Sequence, residues 1–188
     1  MGYGLIATAE ELQCSERTLR RYMDEGLLRG ERRSRQEVRL PFAEERYLRQ
    51  HWKLLSSLRR ALRTEHSVRL AVLFGSSATG EDVPDSDVDL LIEHSTGDLG
   101  QVVELQRRLH RCLGRSIHLV LLEDAERSPS LLADVLLEGR VIVNRSTAWN
   151  KLDRNRPRVL RQAAAEEEAT HLAARQAIED ARERLGDR

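Results

Sequence analysis

The sequence predicts an α/β chain of the α+β kind: a helix-turn-helix front with a small hairpin, a mixed sheet with flanking helices behind it, and a helical C-terminal tail. Three observations carry this. Two capped helical patterns stand almost back to back between residues 8 and 26. Short apolar runs at residues 68–74, 87–92 and 116–122 have the length and composition of strands, with helical patterns between and beyond them. Residues 159–185 are rich in Ala and Glu, both good helix formers.

The composition excludes several classes. The 188 residues carry 31 Lys plus Arg against 31 Asp plus Glu and are 40 % hydrophobic, and charge of both signs broken by Leu, Val and Ile blocks reads as solvated faces of folded helices. No apolar run approaches the roughly 20 residues that a bilayer span needs, and the first residues lack a basic stretch followed by a long apolar one. A cytoplasmic protein with no membrane partner is expected. Cys14 and Cys112 have no close cysteine neighbour, which argues against a disulfide framework or a thiolate metal site and leaves them packing roles.

Zero net charge conceals an asymmetry. Residues 1–66 hold 14 basic and 10 acidic side chains, whereas residues 67–145 hold 8 and 13. A basic front suits a polyanion such as nucleic acid, and a carboxylate excess in the middle suits a metal ion. The expected division is a front at 1–45, a sheet domain at 46–145 with a connecting helix at 46–66, and a tail at 146–188.

In the front, Thr8 with Glu11 three positions on has the spacing of a capping box, and Ser15 opens a second helix that runs to a Gly26 stop. Leu12, Leu19 and Met23 form its core side. In a helix-turn-helix the second helix enters the major groove of duplex DNA, and Arg17, Thr18, Arg20 and Arg21 have the donors to reach phosphates and base edges. Residues 30–41, basic and turn-like at their centre, suit a hairpin wing laid along the backbone through Arg33 and Arg35. The run Ala-Glu-Glu-Leu … Ser-Glu-Arg-Thr-Leu-Arg-Arg-Tyr … Glu-Gly-Leu-Leu … Val-Arg-Leu-Pro resembles the winged helix-turn-helix of the mercury-resistance-regulator (MerR) family over about residues 5–48. That resemblance implies double-stranded DNA binding, usually as a dimer. Arg33-Ser34-Arg35 replaces the family's Asn-Gly turn. The competing reading is a helical packing module with a solvated Arg face.

Residues 42–66 place Tyr47, Leu48, Trp52, Leu55, Leu58 and Leu62 on one helical stripe, either the first helix of the next domain or a dimer seam. The strand at 68–74 stops at Gly75-Ser76-Ser77, where a bare glycine lets a ligand approach and the serines offer donors to phosphate oxygens. Ten residues later Asp87-Val88-Asp89-Leu90-Leu91-Ile92 begins a strand with carboxylates at i and i+2, hence on one face. Two like charges so close are best tolerated with a cation between them, and Mg²⁺, a hard ion that takes carboxylates plus substrate phosphates, is the natural choice. A merely acidic loop is the bland reading; strand, Gly-Ser, fixed gap and paired carboxylates together argue against it.

The run Leu73-Phe74-Gly75-Ser76-Ser77-Ala78-Thr79-Gly80 … Pro84-Asp85-Ser86-Asp87-Val88-Asp89-Leu90 resembles the signature of the DNA polymerase β-type nucleotidyltransferase superfamily, nearest its minimal nucleotidyltransferases, over about residues 48–145. The resemblance implies transfer of a nucleoside monophosphate from a nucleoside triphosphate to a hydroxyl. Gly75, Ser76 and Ser77 would then sit at the triphosphate, and Asp87 and Asp89 would hold Mg²⁺, with a second ion activating the attacking oxygen.

A helix at 98–113 ending at Gly114, a strand at 116–122, a Ser128-capped helix to Gly139 and an extended piece at 141–143 complete the pattern. On the third strand the family carries a third carboxylate, and this chain has His118. His118 could act as general base; Glu123 or Asp124 at the strand's end could supply the charge; or the site is weak or dead. Thr79 stands where the family commonly has Arg. Two functions are therefore expected in competition. One is a Mg²⁺-dependent enzyme acting on a partner protein or RNA, of the kind found in toxin–antitoxin or phage-defence pairs. The other is a DNA-binding regulator whose nucleotidyltransferase-like domain only binds nucleotide or a partner. Pro157 is expected to separate a polar stretch from the last helix, which packs on the domain, pairs in a homodimer or docks a partner.

Overall fold

The computed structural model describes residues 5–32 and 38–186. Helices α1 (Leu5–Glu11) and α2 (Glu16–Asp24) come first, then the short strands β1 (Glu31–Arg32) and β2 (Val38–Arg39) and the long helix α3 (Phe42–Arg63). Next come β3 (Val68–Phe74), α4 (Ser76–Thr79), β4 (Val88–His94), α5 (Leu99–Leu113) and β5 (Ile117–Leu121). The chain closes with α6 (Leu122–Ala125), α7 (Pro129–Glu138), β6 (Arg140–Asn144) and α8 (Ala148–Gly186).

Among the described residues the main sheet has strand order β5-β4-β3-β6, with β3 antiparallel to both neighbours and β4 parallel to β5. Pleat alternation sends the strands' side chains to two faces. Ala71, Leu73, Leu90, Ile92 and Ile117 join α3 and α5 in one core. Leu70, Val72, Leu91 and Val141 join α7 and the start of α8 in the other. Burial on both faces is why β3 reads as an unbroken apolar run rather than an alternating one.

The front helices do not stand apart. Leu5, Ala9, Leu12, Leu19, Leu27 and Leu28 belong to the same core as Leu48, Leu55, Leu58 and Leu62 of α3. The stripe on α3 is as its spacing predicts, with Trp52 half-buried. Polar ties reinforce the contact: the Val141 amide donates to the Gly26 carbonyl at 3.1 Å, and Arg59 meets Glu25 at 2.7 Å.

Several elements differ from expectation. Helix α1 begins at Leu5, so Thr8 lies buried inside it rather than at its cap, and Glu11 pairs with Arg49 of α3 at 2.8 Å. An apolar start, Leu5-Ile6-Ala7, extended the helix upstream of the polar signal. Ser15 does cap α2, its hydroxyl accepting from the Thr18 amide at 3.1 Å, a contact worth about 1 kcal/mol. Strand β4 starts at Val88, leaving Asp87 on the approach to it. Short helix α6 follows β5 directly where no element was expected. Helix α8 runs unbroken through Pro157, because packing of Ala148, Leu152 and Val159 against α7 outweighs the roughly 3 kcal/mol that an internal proline costs. Cys14 is half-buried as a packing residue, but Cys112 is exposed on α5. No helix among the described residues is long and apolar enough to cross a membrane.

Candidate functional site

The site forms where β3 ends and β4 begins. Gly75 turns the chain with φ +68° and ψ −159°, a region that essentially only glycine enters. A Cβ there would lie 2.7 Å from Asp89 Oδ2, so this bare backbone is what allows the Asp89 carboxylate to sit beside the turn. Phe74 and Asp89 are register partners across β3 and β4, which fixes that approach.

His118 faces Asp89. The two are register partners in the parallel β4/β5 pair, and His118 Nδ1 donates to Asp89 Oδ1 at 3.0 Å. The His118 side chain is 62 % exposed, so Nε2 is open to a bound molecule. Glu123 and Asp124 do not come near. They lie on α6, beyond the Ile92–Leu121 pair that is three residues farther along the strands, about 10 Å from the Asp89–His118 rung. The group that β5 sets against Asp89 is an imidazole.

Asp87 is exposed and Asp89 half-buried, two residues apart at the head of β4. Among the described residues no three His, Cys, Asp or Glu side chains gather into a metal-binding group. Of the two expected donors, Asp89 lies beside the open Gly75 turn and Asp87 stands two residues before it. Hard oxygens of that number suit one Mg²⁺ completed by substrate phosphates, and the His118 nitrogen suits a second Mg²⁺ poorly.

Behind the pair lies a network that the sequence did not announce. Asp82, in the loop before β4, has only 8 % of its side chain exposed and accepts from His51 Nε2 at 2.6 Å and from Arg115 Nη1 at 2.8 Å. Arg115 also donates to the Ser86 carbonyl at 2.8 Å and to the Ser77 hydroxyl at 3.1 Å, and that hydroxyl lies 3.4 Å from the Asp87 carbonyl. Burial alone would raise the Asp82 carboxyl; the hydrogen bonds and charges of His51 and Arg115 outweigh it and hold the group below its usual value. The aspartate-bearing loop is thus latched from both ends. Ser77, expected at the triphosphate, is fully buried and spends its hydroxyl on this latch; the half-buried Ser76 stays at the turn.

Tyr47 stacks on His51 with ring centroids 4.4 Å apart and donates to the Ser77 carbonyl at 2.9 Å. Burial pushes its phenol far above the usual value, so it remains a donor. On the other face of Tyr47 lies Arg140, 3.5 Å from the ring centroid and 1 % exposed. Arg140 binds Glu44 through two bonds of 2.6 and 2.9 Å and donates to the carbonyls of Ala78 and Leu27. One buried guanidinium thus joins the turn after α2, helix α3 and the glycine-serine loop. The sequence held one signal for this network: His51 falls within the apolar stripe, three after Leu48 and four before Leu55. Glu44, Asp82, Arg115 and Arg140 come from four separated segments and gave none.

On the front, Arg17 and Arg21 are exposed, Thr18 shares its hydroxyl with Ser15 at 2.9 Å, and Arg20 is half-buried against Glu16 at 2.8 Å. Arg33 and Arg35 lie outside the described residues.

Residues 56–148 match the family described as Polymerase beta, Nucleotidyltransferase. The chain is also similar to a crystal structure of a toxin–antitoxin with AMP-PNP, with 23 % identity and a TM-score of 0.53 over 64 % of this chain and 97 % of that one. A variant of the toxin–antitoxin pair MntA–HpeT aligns at 23 % identity and a TM-score of 0.51 over 63 % and 95 %. None of the curated proteins compared with the chain matches it. Likeness at these identities establishes a shared fold. The family match makes residues 56–148 a nucleotidyltransferase domain.

Proposed function

We propose, with that domain as premise, that the chain is a Mg²⁺-dependent nucleotidyltransferase that moves a nucleoside monophosphate from a nucleoside triphosphate to a hydroxyl of a partner protein, and that its front helices bind duplex DNA. The observation that carries the enzyme reading is the Asp89–His118 contact beside the glycine turn.

Asp87 and Asp89 would hold the metal, whose chemistry is to gather the triphosphate oxygens and offset charge on the departing pyrophosphate. Ser76 and the open Gly75 turn admit the phosphates. Because Asp89 accepts the Nδ1 proton, His118 presents Nε2 as the basic nitrogen. The acceptor hydroxyl loses its proton to Nε2 as its oxygen bonds to the α-phosphorus, and the bond from that phosphorus to the β-bridging oxygen breaks. Asp82 and Arg115 take no part in the bond changes; they hold the loop that presents Asp87. A fold neighbour crystallised with AMP-PNP recommends ATP as the first donor to try, and toxin–antitoxin neighbours recommend a protein acceptor encoded nearby. RNA is the second acceptor class.

The test is transfer from each α-labelled nucleoside triphosphate, with Mg²⁺ or Mn²⁺, to the protein, to RNA and to a cell extract. Label that vanishes in Asp87→Ala/Asp89→Ala supports the reading. Absent label in the native chain, with label in His118→Asp, sinks it and favours the second reading, which the imidazole at the third position supports: a DNA-binding regulator with a disarmed domain.

A further inference from the structure

A groove of about 740 Å³ lies away from the glycine turn. It runs between α2, the C-terminal half of α3 and residues 141–145 at the far end of edge strand β6, and it is lined by Arg21, Arg59, Arg60, Arg63 and Arg145, with Asp24 and Glu25 the acidic side chains. A surplus of three positive charges in one groove is concentrated for a chain whose net charge is zero.

Two of these arginines are occupied by the fold. Arg145 donates to the carbonyls of Leu62, Arg63, Glu65 and Val68, closing the C-terminal end of α3, and Arg59 is held by Glu25 and lies 4.2 Å from the Tyr22 ring centroid. Arg60 and Arg63 differ. Both are exposed, stand three apart on one face of α3, and have no acidic partner among the described residues. Arg21, opposite them, has a loose contact with Glu25 at 3.8 Å and lies 5.3 Å from the Tyr22 ring centroid. Arg17 and Arg21, four apart, share a face of α2, so that row leads into the groove.

We infer that this groove seats the phosphodiester backbone of duplex DNA, extending the contact of α2 onto the nucleotidyltransferase domain through Arg60 and Arg63. The inference rests on the proposal that α2 binds DNA. Exposed guanidinium groups with no acidic partner among the described residues at Arg60 and Arg63, in a row that continues the exposed face of α2, suit successive phosphates and carry no base preference.

The experiment is fluorescence anisotropy with a labelled 20-base-pair duplex of mixed sequence, titrated at 50 and 200 mM salt, for the native chain, Arg60→Ala/Arg63→Ala and Arg17→Ala. Each lost phosphate contact lowers the salt slope by about 0.9, so the fourfold rise in salt should weaken the native chain about twelvefold more than the double variant. An unshifted melting temperature would show the double variant folded. If Arg17→Ala weakens binding and the double variant leaves both affinity and slope unchanged, the groove is no DNA site although the α2 reading stands. If the reverse holds, the groove binds and α2 does not. No binding by the native chain, or binding of an acidic peptide in place of the duplex, overturns the inference.

Discussion

Replacing Glu44 by Ala strands a guanidinium in the interior. Arg140 and Glu44 are 2 % and 3 % exposed at their side chains and share two bonds, so the substitution removes the only carboxylate that the structure gives Arg140. Breaking a buried pair in this way costs about 3–5 kcal/mol, because the remaining charge keeps its desolvation penalty and loses its compensation. For a chain of this size each kcal/mol moves the melting temperature by about 2–4 °C, so a fall of roughly 6–20 °C is expected. The stranded group is also the one that holds the Ala78 carbonyl beside the glycine-serine loop. Arg140→Met costs a similar amount, since it strands Glu44 and leaves the carbonyls of Ala78 and Leu27 short of a donor. The double variant should cost about 2–3 kcal/mol less than the two singles added, which is the coupling of the pair. Urea unfolding of all four proteins at pH 7 measures it. A coupling below about 1 kcal/mol would refute the reasoning, since two charges truly buried together cannot ignore each other's loss.

Gly75→Ala should leave the chain folded at a cost of about 1–3 kcal/mol for the forced backbone, and abolish aspartate-dependent transfer because the new methyl displaces the Asp89 carboxylate. His118→Ala should lower kcat about a hundredfold with little change in the nucleotide KM, if Nε2 takes the acceptor's proton; an unchanged kcat removes the base from the mechanism. Asp82→Asn should melt lower than the native chain at pH 7. The folded Asp82 pKa lies below the ordinary 3.8, so its stabilisation is complete above that value and fades as pH falls through the folded one. The melting difference between native and variant should therefore shrink below about pH 4; a difference independent of pH would assign the effect to packing.

Legibility in the sequence followed how local each signal was. Helices α3 and α5 carried periodic apolar patterns and β3 an unbroken apolar run, each long enough to be read, and Ser15 and Gly26 marked the ends of α2 because capping is chemistry of adjacent residues. The Gly75 turn was legible because a glycine ends the apolar run of β3, and Asp87 and Asp89 drew attention as like carboxylates at i and i+2. The pairing of His118 with Asp89 depended on strand register, which spacing alone does not fix. The His51–Asp82 and Arg115–Ser77 bonds of the latch and the buried Glu44–Arg140 pair join residues 31, 38 and 96 apart, and no window along the chain contains them. Thr8 misled because a cap motif is only as good as the residues before it, and Pro157 because tertiary packing overrode a local penalty.

The family match begins at residue 56, in the middle of α3, yet the core that α3 serves is filled from Leu5 onward. The extent of the family match and the extent of the shared core therefore differ. A fragment cut where the match begins would keep every group of the candidate chemistry and expose the apolar flank of Leu58 and Leu62 to water, inviting aggregation and proteolysis. The front is thus a structural cover for that flank, which could be dispensed with only if the flank were rebuilt in polar residues. The front therefore serves the solubility of the sheet domain as well as whatever its own surface touches.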